Sequence, residues 1–190
     1  DGFDLSGASV VPAGWRTKSE GGVRSAGNYT LGPRIMSFSA EGAMQYAFYF
    51  RAGDAGTGYV TYGEDSKNRL YLEPGKYTLS YSIVGGKTKP AIVAYVQTAT
   101  GSRIAQLVAS PKSSVSANGS SARITETTDE DLDFEITSAG NYVLKWVLSK
   151  STAGFNEALL GNIRLVRHDD SEETGIPYLP SEQAARPYLI

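Results

Sequence analysis

A chain of 190 residues with 41% hydrophobic residues holds enough apolar material to bury a core without a metal or a disulfide. Its 18 basic residues against 20 acidic ones, a formal net charge of -2, offer no strong positive field for a polyphosphate and argue against nucleic acid as a partner. It has no cysteine, which excludes disulfides, thiol nucleophiles and cysteine metal sites.

No run of about 18 apolar residues is present, so no transmembrane helix is expected. No basic start followed by an apolar stretch marks a signal peptide, and Asp1 reads as a processing boundary. Tyrosine is abundant, with 12 Tyr against 6 Phe and 2 Trp. A tyrosine ring can sit half wet with its hydroxyl bonded, and this composition is common in extracellular β proteins.

In chain order, Gly14-Trp15 comes first, followed by Arg16, Thr17 and Lys18 without clear alternation. Met44, Tyr46, Phe48 and Phe50 then alternate with Gln45, Ala47, Tyr49 and Arg51, the period of two that marks a strand. A glycine cluster from Gly53 to Gly58 precedes Tyr59 and Tyr62. Leu70-Tyr71-Leu72 and the run of Tyr77, Leu79, Tyr81 and Ile83 read as a hairpin joined at Pro74-Gly75. Pro74 would preset φ and Gly75 would supply the positive φ that follows it.

Ile92, Ala94 and Val96 alternate with Val93, Tyr95 and Gln97; both faces are fairly apolar, which predicts a central strand. The Ser-rich stretch from Ala109 to Ser121 reads as a loop. Leu132, Phe134 and Ile136 alternate cleanly with Asp131, Asp133 and Glu135, and Tyr142, Leu144, Trp146 and Leu148 form the next strand. Ile163 and Leu165 close the pattern. The segment from His168 to Ile190 turns acidic and then carries three prolines, an exit linker or surface tail. Many short strands, turn clusters and almost no helical stripe predict an all-β, two-sheet antiparallel β-sandwich of jelly-roll type over residues 1–167, with a tail over 168–190.

The run Leu70 to Tyr81, with Glu73-Pro74-Gly75-Lys76-Tyr77 at its middle, resembles a motif of galactose-binding-like jelly rolls. These are the carbohydrate-binding modules of secreted, Bacteroidetes-type glycosidases. Gly154 to Leu165, with Gly161-Asn162-Ile163, resembles their closing strand. The resemblance implies the sandwich fold, a glycan partner, no membrane-spanning segment and a place in a larger exported protein, extracellular, periplasmic or on the outer cell surface. Glu173-Thr174-Gly175-Ile176 and the final Arg186 to Ile190 also resemble the start of a C-terminal sorting domain. No organic cofactor is implied. The one metal raised is a structural calcium, and there the family's Asp is replaced by the uncharged Gly161-Asn162 pair.

Sugar binding needs flat aromatic rings and planar hydrogen-bonding side chains. Trp15 reads either as an exposed platform or as a core plug under the first strand. Tyr59 and Tyr62 flank a glycine-rich loop and read as binding rings or as ordinary turn residues. Arg34, Asn156 and Glu157 stand near strand ends, as polar ligand contacts or as solvated side chains. Trp146, in phase with Leu144 and Leu148, reads as core.

Catalysis has little support. The single His168 beside Asp169 and Asp170 gives no triad. Asp129 to Glu135 lie on one strand and its approach rather than across a cleft, as a glycosidase pair would; the run Thr127-Thr128-Asp129-Glu130-Asp131 is a second, weaker calcium candidate. The residues therefore point to a non-catalytic carbohydrate-binding module. A structural or protein-interaction sandwich on the cell surface is the alternative, and a glycoside-active enzyme is third.

Overall fold

A computed structural model describes residues 13–19, 34–37, 46–53, 57–85, 89–114, 127–149, 156–168 and 188–189. Among them there are strands and no helix. In chain order these are β1 (Trp15–Ser19), β2 (Arg34–Ser37), β3 (Tyr46–Ala52), β4 (Gly58–Tyr62), β5 (Leu70–Leu72) and β6 (Gly75–Gly85). There follow β7 (Ile92–Thr98), β8 (Arg103–Ala109), β9 (Thr128–Ile136), β10 (Gly140–Leu148), β11 (Asn156–His168) and β12 (Tyr188–Leu189). They form two antiparallel sheets. Sheet A runs β1-β4-β10-β7-β8 with β5 also on β10, and sheet B runs β2-β3-β11-β6-β9 with β12 on β11.

The alternation of each strand sets which side it buries. Leu132, Phe134 and Ile136 turn inward from β9 while Asp131, Asp133 and Glu135 stay exposed. Val60, Leu144, Trp146, Leu148, Ile92, Ala94 and Val96 line the inner face of sheet A. Phe48, Phe50, Tyr77, Leu79, Tyr81, Ile83, Leu160 and Leu165 meet them from sheet B in one continuous core. The strand Ile92–Thr98 lies between two others, as its two apolar faces predict. β9 is an edge, and its row of charges is what keeps an open edge from pairing with another chain.

The stretch from Leu70 to Ile83 departs from the expected hairpin. β5 pairs with β10 in sheet A, whereas β6 pairs with β9 and β11 in sheet B. Pro74-Gly75 is thus a corner where the chain crosses between sheets. Gly75 has φ 153, a nearly extended bend and not the tight left-handed turn of a hairpin. Both flanking strands have an apolar face that needs the core, and they reach it from opposite sides. The tail contributes too, since Tyr188 and Leu189 pair with Leu165 and Arg164.

Candidate functional site

The outer face of sheet A carries one row in register across five strands: Arg16, Thr61, Lys145, Tyr95 and Gln106. The next row is Lys18, Tyr59, Val147, Val93 and Val108. On the other side Val143, Gln97 and Arg103 continue the face. Arg16 and the members of these rows on β4, β10, β7 and β8 stand on the outer side because the residues between them (Trp15, Val60, Tyr62, Trp146, Ala94) are spent on the core; Val143 is nonetheless buried there.

Two cation–ring pairs organise the face. The Lys145 ammonium lies 4.3 Å from the centre of the Tyr59 ring, and the Arg103 guanidinium lies 4.4 Å from that of Tyr95. Attraction to the ring quadrupole holds each cation in place. Arg103 Nη1 also donates to Gln106 Oε1 at 2.5 Å. Both rings are half-buried. Thr61, in register between Arg16 and Lys145, has no exposed surface, and its hydroxyl has no hydrogen-bond partner among the described residues. The arrangement combines aromatic rings, amide groups and fixed donors on one side of a rigid sheet.

Of the six residues singled out from the sequence, the structure puts only Tyr59 on this face. Trp15 is corrected: at 8% exposure it is a core plug, not a platform. Its ring packs against Phe48 at 4.6 Å, Tyr62 at 5.1 Å and Trp146 at 6.0 Å. Tyr62 turns inward with it and packs on the core. Arg34 falls on β2, at the far edge of the other sheet, and its side chain lies outside the described residues. Asn156 and Glu157 open β11, also in sheet B. The Asn156 amide donates to the Ser149 carbonyl at 3.0 Å, tying down the β10–β11 connection, and Glu157 is buried.

Sequence reasoning missed Tyr95, Lys145, Arg103 and Gln106. The signal lay in the second phase of β7 and β10, where Tyr95, Gln97 and Lys145 stand out from valines, but that phase reads as filler beside the stronger inward one.

The outer face of sheet B is a different surface. Thr78 Oγ1 donates to Asp133 Oδ1 at 2.5 Å and lies 2.7 Å from His168 Nε2. With the hydroxyl proton given to Asp133, Nε2 is the donor in the second contact. The carboxylate therefore binds the hydroxyl and not the imidazole, the reverse of a nucleophilic triad. Ser82 and Thr127 both donate to Asp129 Oδ1, at 2.6 and 2.9 Å, and the Asn162 amide donates to Ser82 Oγ at 3.1 Å. Asn162 sits at a bulge in β11 with φ 51. Among the described residues no three His, Asp or Glu side chains converge on a cation site, and no helix is long and apolar enough to cross a membrane.

Fold and face together define an all-β jelly-roll sandwich with an aromatic, cation-bearing outer sheet. No protein-family model matches the chain, and no curated protein does. Solved structures share its fold. A family 61 carbohydrate-binding module in complex with β-1,4-galactotriose matches at TM-score 0.50 and 13% identity over 82% of this chain and 89% of its own. An arabinose-bound family 51 α-L-arabinofuranosidase matches at TM-score 0.50 and 13% identity over 80% of this chain; the match spans only 23% of that enzyme. The N-terminal cellulose-binding domain of Cellulomonas fimi β-1,4-glucanase C matches at TM-score 0.48 and 14% identity over 90% of this chain and 97% of its own. The chain shares the two-sheet β-sandwich fold of the galactotriose-bound module.

Proposed function

We propose that this chain is a non-catalytic carbohydrate-binding module of an exported protein and that it takes its glycan on the outer face of sheet A. The observation that carries this reading is the pair of outward tyrosines, Tyr59 and Tyr95, each with a cation within 4.4 Å of its ring centre. Rings supply contact area at low entropy cost, and fixed cations and amides supply donors for sugar hydroxyls. The fold shared with a carbohydrate-binding module in complex with β-1,4-galactotriose supports the same reading. Among the described residues the charged side chains on the strands of sheet A are all cations, which supports a binding role over the carboxylate pair that hydrolysis uses. The tyrosine-rich, cysteine-free composition supports export, with the working place outside the cell, in the periplasm or on the outer surface.

The test is affinity electrophoresis through gels containing a panel of plant and algal polysaccharides, with Tyr59→Ala and Tyr95→Ala run beside the parent chain. At least one polysaccharide should retard the parent chain, and each variant should bind about tenfold more weakly, the loss of one stacked contact worth about 1.4 kcal/mol. Variants that bind as the parent does would move the site elsewhere. Retention by no polysaccharide would favour the second reading, a protein-interaction sandwich. For that reading the specific observation is the edge strand β8, where Val108 is 58% exposed and Ile104 41%.

A further inference from the structure

The two sheets divide the charge of the chain unevenly. The strands of sheet A contain Arg16, Lys18, Arg103 and Lys145 and neither Asp nor Glu. Those of sheet B contain the acids Asp129, Glu130, Asp131, Asp133, Glu135 and Glu157 beside the bases Arg34, Arg51, Lys76, Arg164 and Arg167, so both signs are mixed there. A chain of formal net charge -2 thus has one sheet whose only charges are cations.

Two of these cations are held before any ligand arrives. Lys145 rests on Tyr59, Arg103 rests on Tyr95, and Arg103 is further fixed through Nη1 by Gln106. Ordering them costs a ligand little. The hydroxyls of a neutral sugar accept hydrogen bonds from both cations but bring no charge to offset the water they displace. An anion brings charge as well and makes the stronger, charge-assisted bonds.

We infer that the outer face of sheet A binds an anionic glycan, specifically a uronic-acid polysaccharide, with its carboxylates on Lys145 and Arg103 and its rings along Tyr59 and Tyr95. The inference rests on the glycan-binding reading of the same face. Planarity favours a carboxylate over a sulfate. With Nη1 engaged by Gln106, the Nε–Nη2 edge of Arg103 remains as a flat two-pronged fork. A sulfate, with three oxygens, asks for donors that converge. Lys145 and Arg103 stand on strands with β7 between them, two strand spacings or roughly 9–10 Å apart across the sheet and two residues, roughly 6–7 Å, apart along it. That spacing suits charges on separate sugars of a chain, not two groups on one ring. A nucleic acid would need a denser line of cations than this face holds.

Calorimetric titration of the full chain with polygalacturonate, a neutral galactan, a sulfated galactan and single-stranded DNA tests this, at about 0.05 and 0.5 M NaCl, which changes screening strongly. Polygalacturonate should bind about tenfold or more tighter than neutral galactan at low salt and weaken several-fold at high salt. Lys145→Gln and Arg103→Gln should each weaken it about fivefold to tenfold with unchanged melting temperature, while Lys76→Gln on sheet B changes nothing. Neutral galactan bound as tightly, without salt dependence, overturns the uronate assignment and leaves the glycan-binding reading standing. Sulfated galactan or DNA bound as tightly as polygalacturonate also overturns it. No binding to any of the glycans sinks the underlying reading instead.

Discussion

Gly63 leaves β4 with φ 94, a region that side chains rarely enter. A Cβ placed there would stand 2.6 Å from the backbone oxygen of Tyr142 and 3.1 Å from Leu70. The carbonyl belongs to β10 and cannot swing aside as a flexible side chain would. Gly101, at φ 93, meets nothing within 4 Å. The pair separates backbone strain from collision. Gly101→Ala should cost only the strain, about 1–2 kcal/mol, and Gly63→Ala roughly twice as much or more, as urea unfolding would show; equal losses would mean that the contact with Tyr142 is soft. At this scale the sequence tells less than its motifs suggest. Nothing local distinguishes Trp15 as core, because the rings that bury it, Phe48, Tyr62 and Trp146, come from strands remote in sequence. Tyr59 and Tyr62 share one glycine-rich setting, yet their odd spacing puts one on each side of β4, and only Tyr59 faces outward.

Two of the corners that carry the chain between sheets share a pattern. Glu73-Pro74-Gly75-Lys76-Tyr77 passes from β5 to β6, and Ser138-Ala139-Gly140-Asn141-Tyr142 passes from β9 to β10. In each a tyrosine two residues past the glycine donates its hydroxyl back to the carbonyl four residues upstream: Tyr77 to Glu73 at 2.8 Å and Tyr142 to Ser138 at 2.6 Å. The corners lie side by side, since β5 pairs with β10 and β6 with β9. Each bond ties the entry of a strand to the turn before it. Tyr81, one strand turn further on, is a control of the same chemistry. Burial pushes its hydroxyl pKa far up, with Glu130 adding to the effect, so the phenol stays neutral; the hydroxyl has no hydrogen-bond partner among the described residues. Tyr77→Phe and Tyr142→Phe should each cost about 1–1.5 kcal/mol, and Tyr81→Phe should cost nothing or stabilise by up to about 1 kcal/mol. Thermal melts of the three variants check the order, and a loss at Tyr81 equal to the others would contradict it. Strand existence was legible at this scale because alternation is local: the Asp-Leu-Asp-Phe-Glu-Ile run of β9 states which side is buried. Partnership was not. A hairpin and a crossing corner use the same Pro-Gly and differ only in whether the next strand finds its apolar face satisfied by its neighbour or by the opposite sheet.

Over the whole molecule the two sheets have distinct duties, and their shared interior separates stability from binding. The inner faces meet through an aromatic plug in which Trp15 of β1 and Trp146 of β10 pack against Phe48 of β3 and Tyr81 of β6. The outer face of sheet B is a hydrogen-bonded acidic surface, and that of sheet A is aromatic and cationic. The fold class could be read from strand patterns because every strand of a sandwich must bury one phase. The candidate site could not, since it is assembled from the other phase of five strands whose order in the sheet is not their order in the chain. This division has a consequence for the most conspicuous aromatic in the chain. Trp15→Ala removes a buried ring that touches both sheets, and should cost about 3–5 kcal/mol. The ring takes no part in the outer face, so the fraction that stays folded should hold a polysaccharide as tightly as the parent does. Unfolding by urea, followed by titration of a retained polysaccharide at a temperature where circular dichroism still reports the β fold, measures both quantities on one sample. Weakened binding by a variant that is still folded would return Trp15 to the binding surface. Unchanged affinity with a large stability loss would leave Tyr59 and Tyr95 as the rings that meet the sugar.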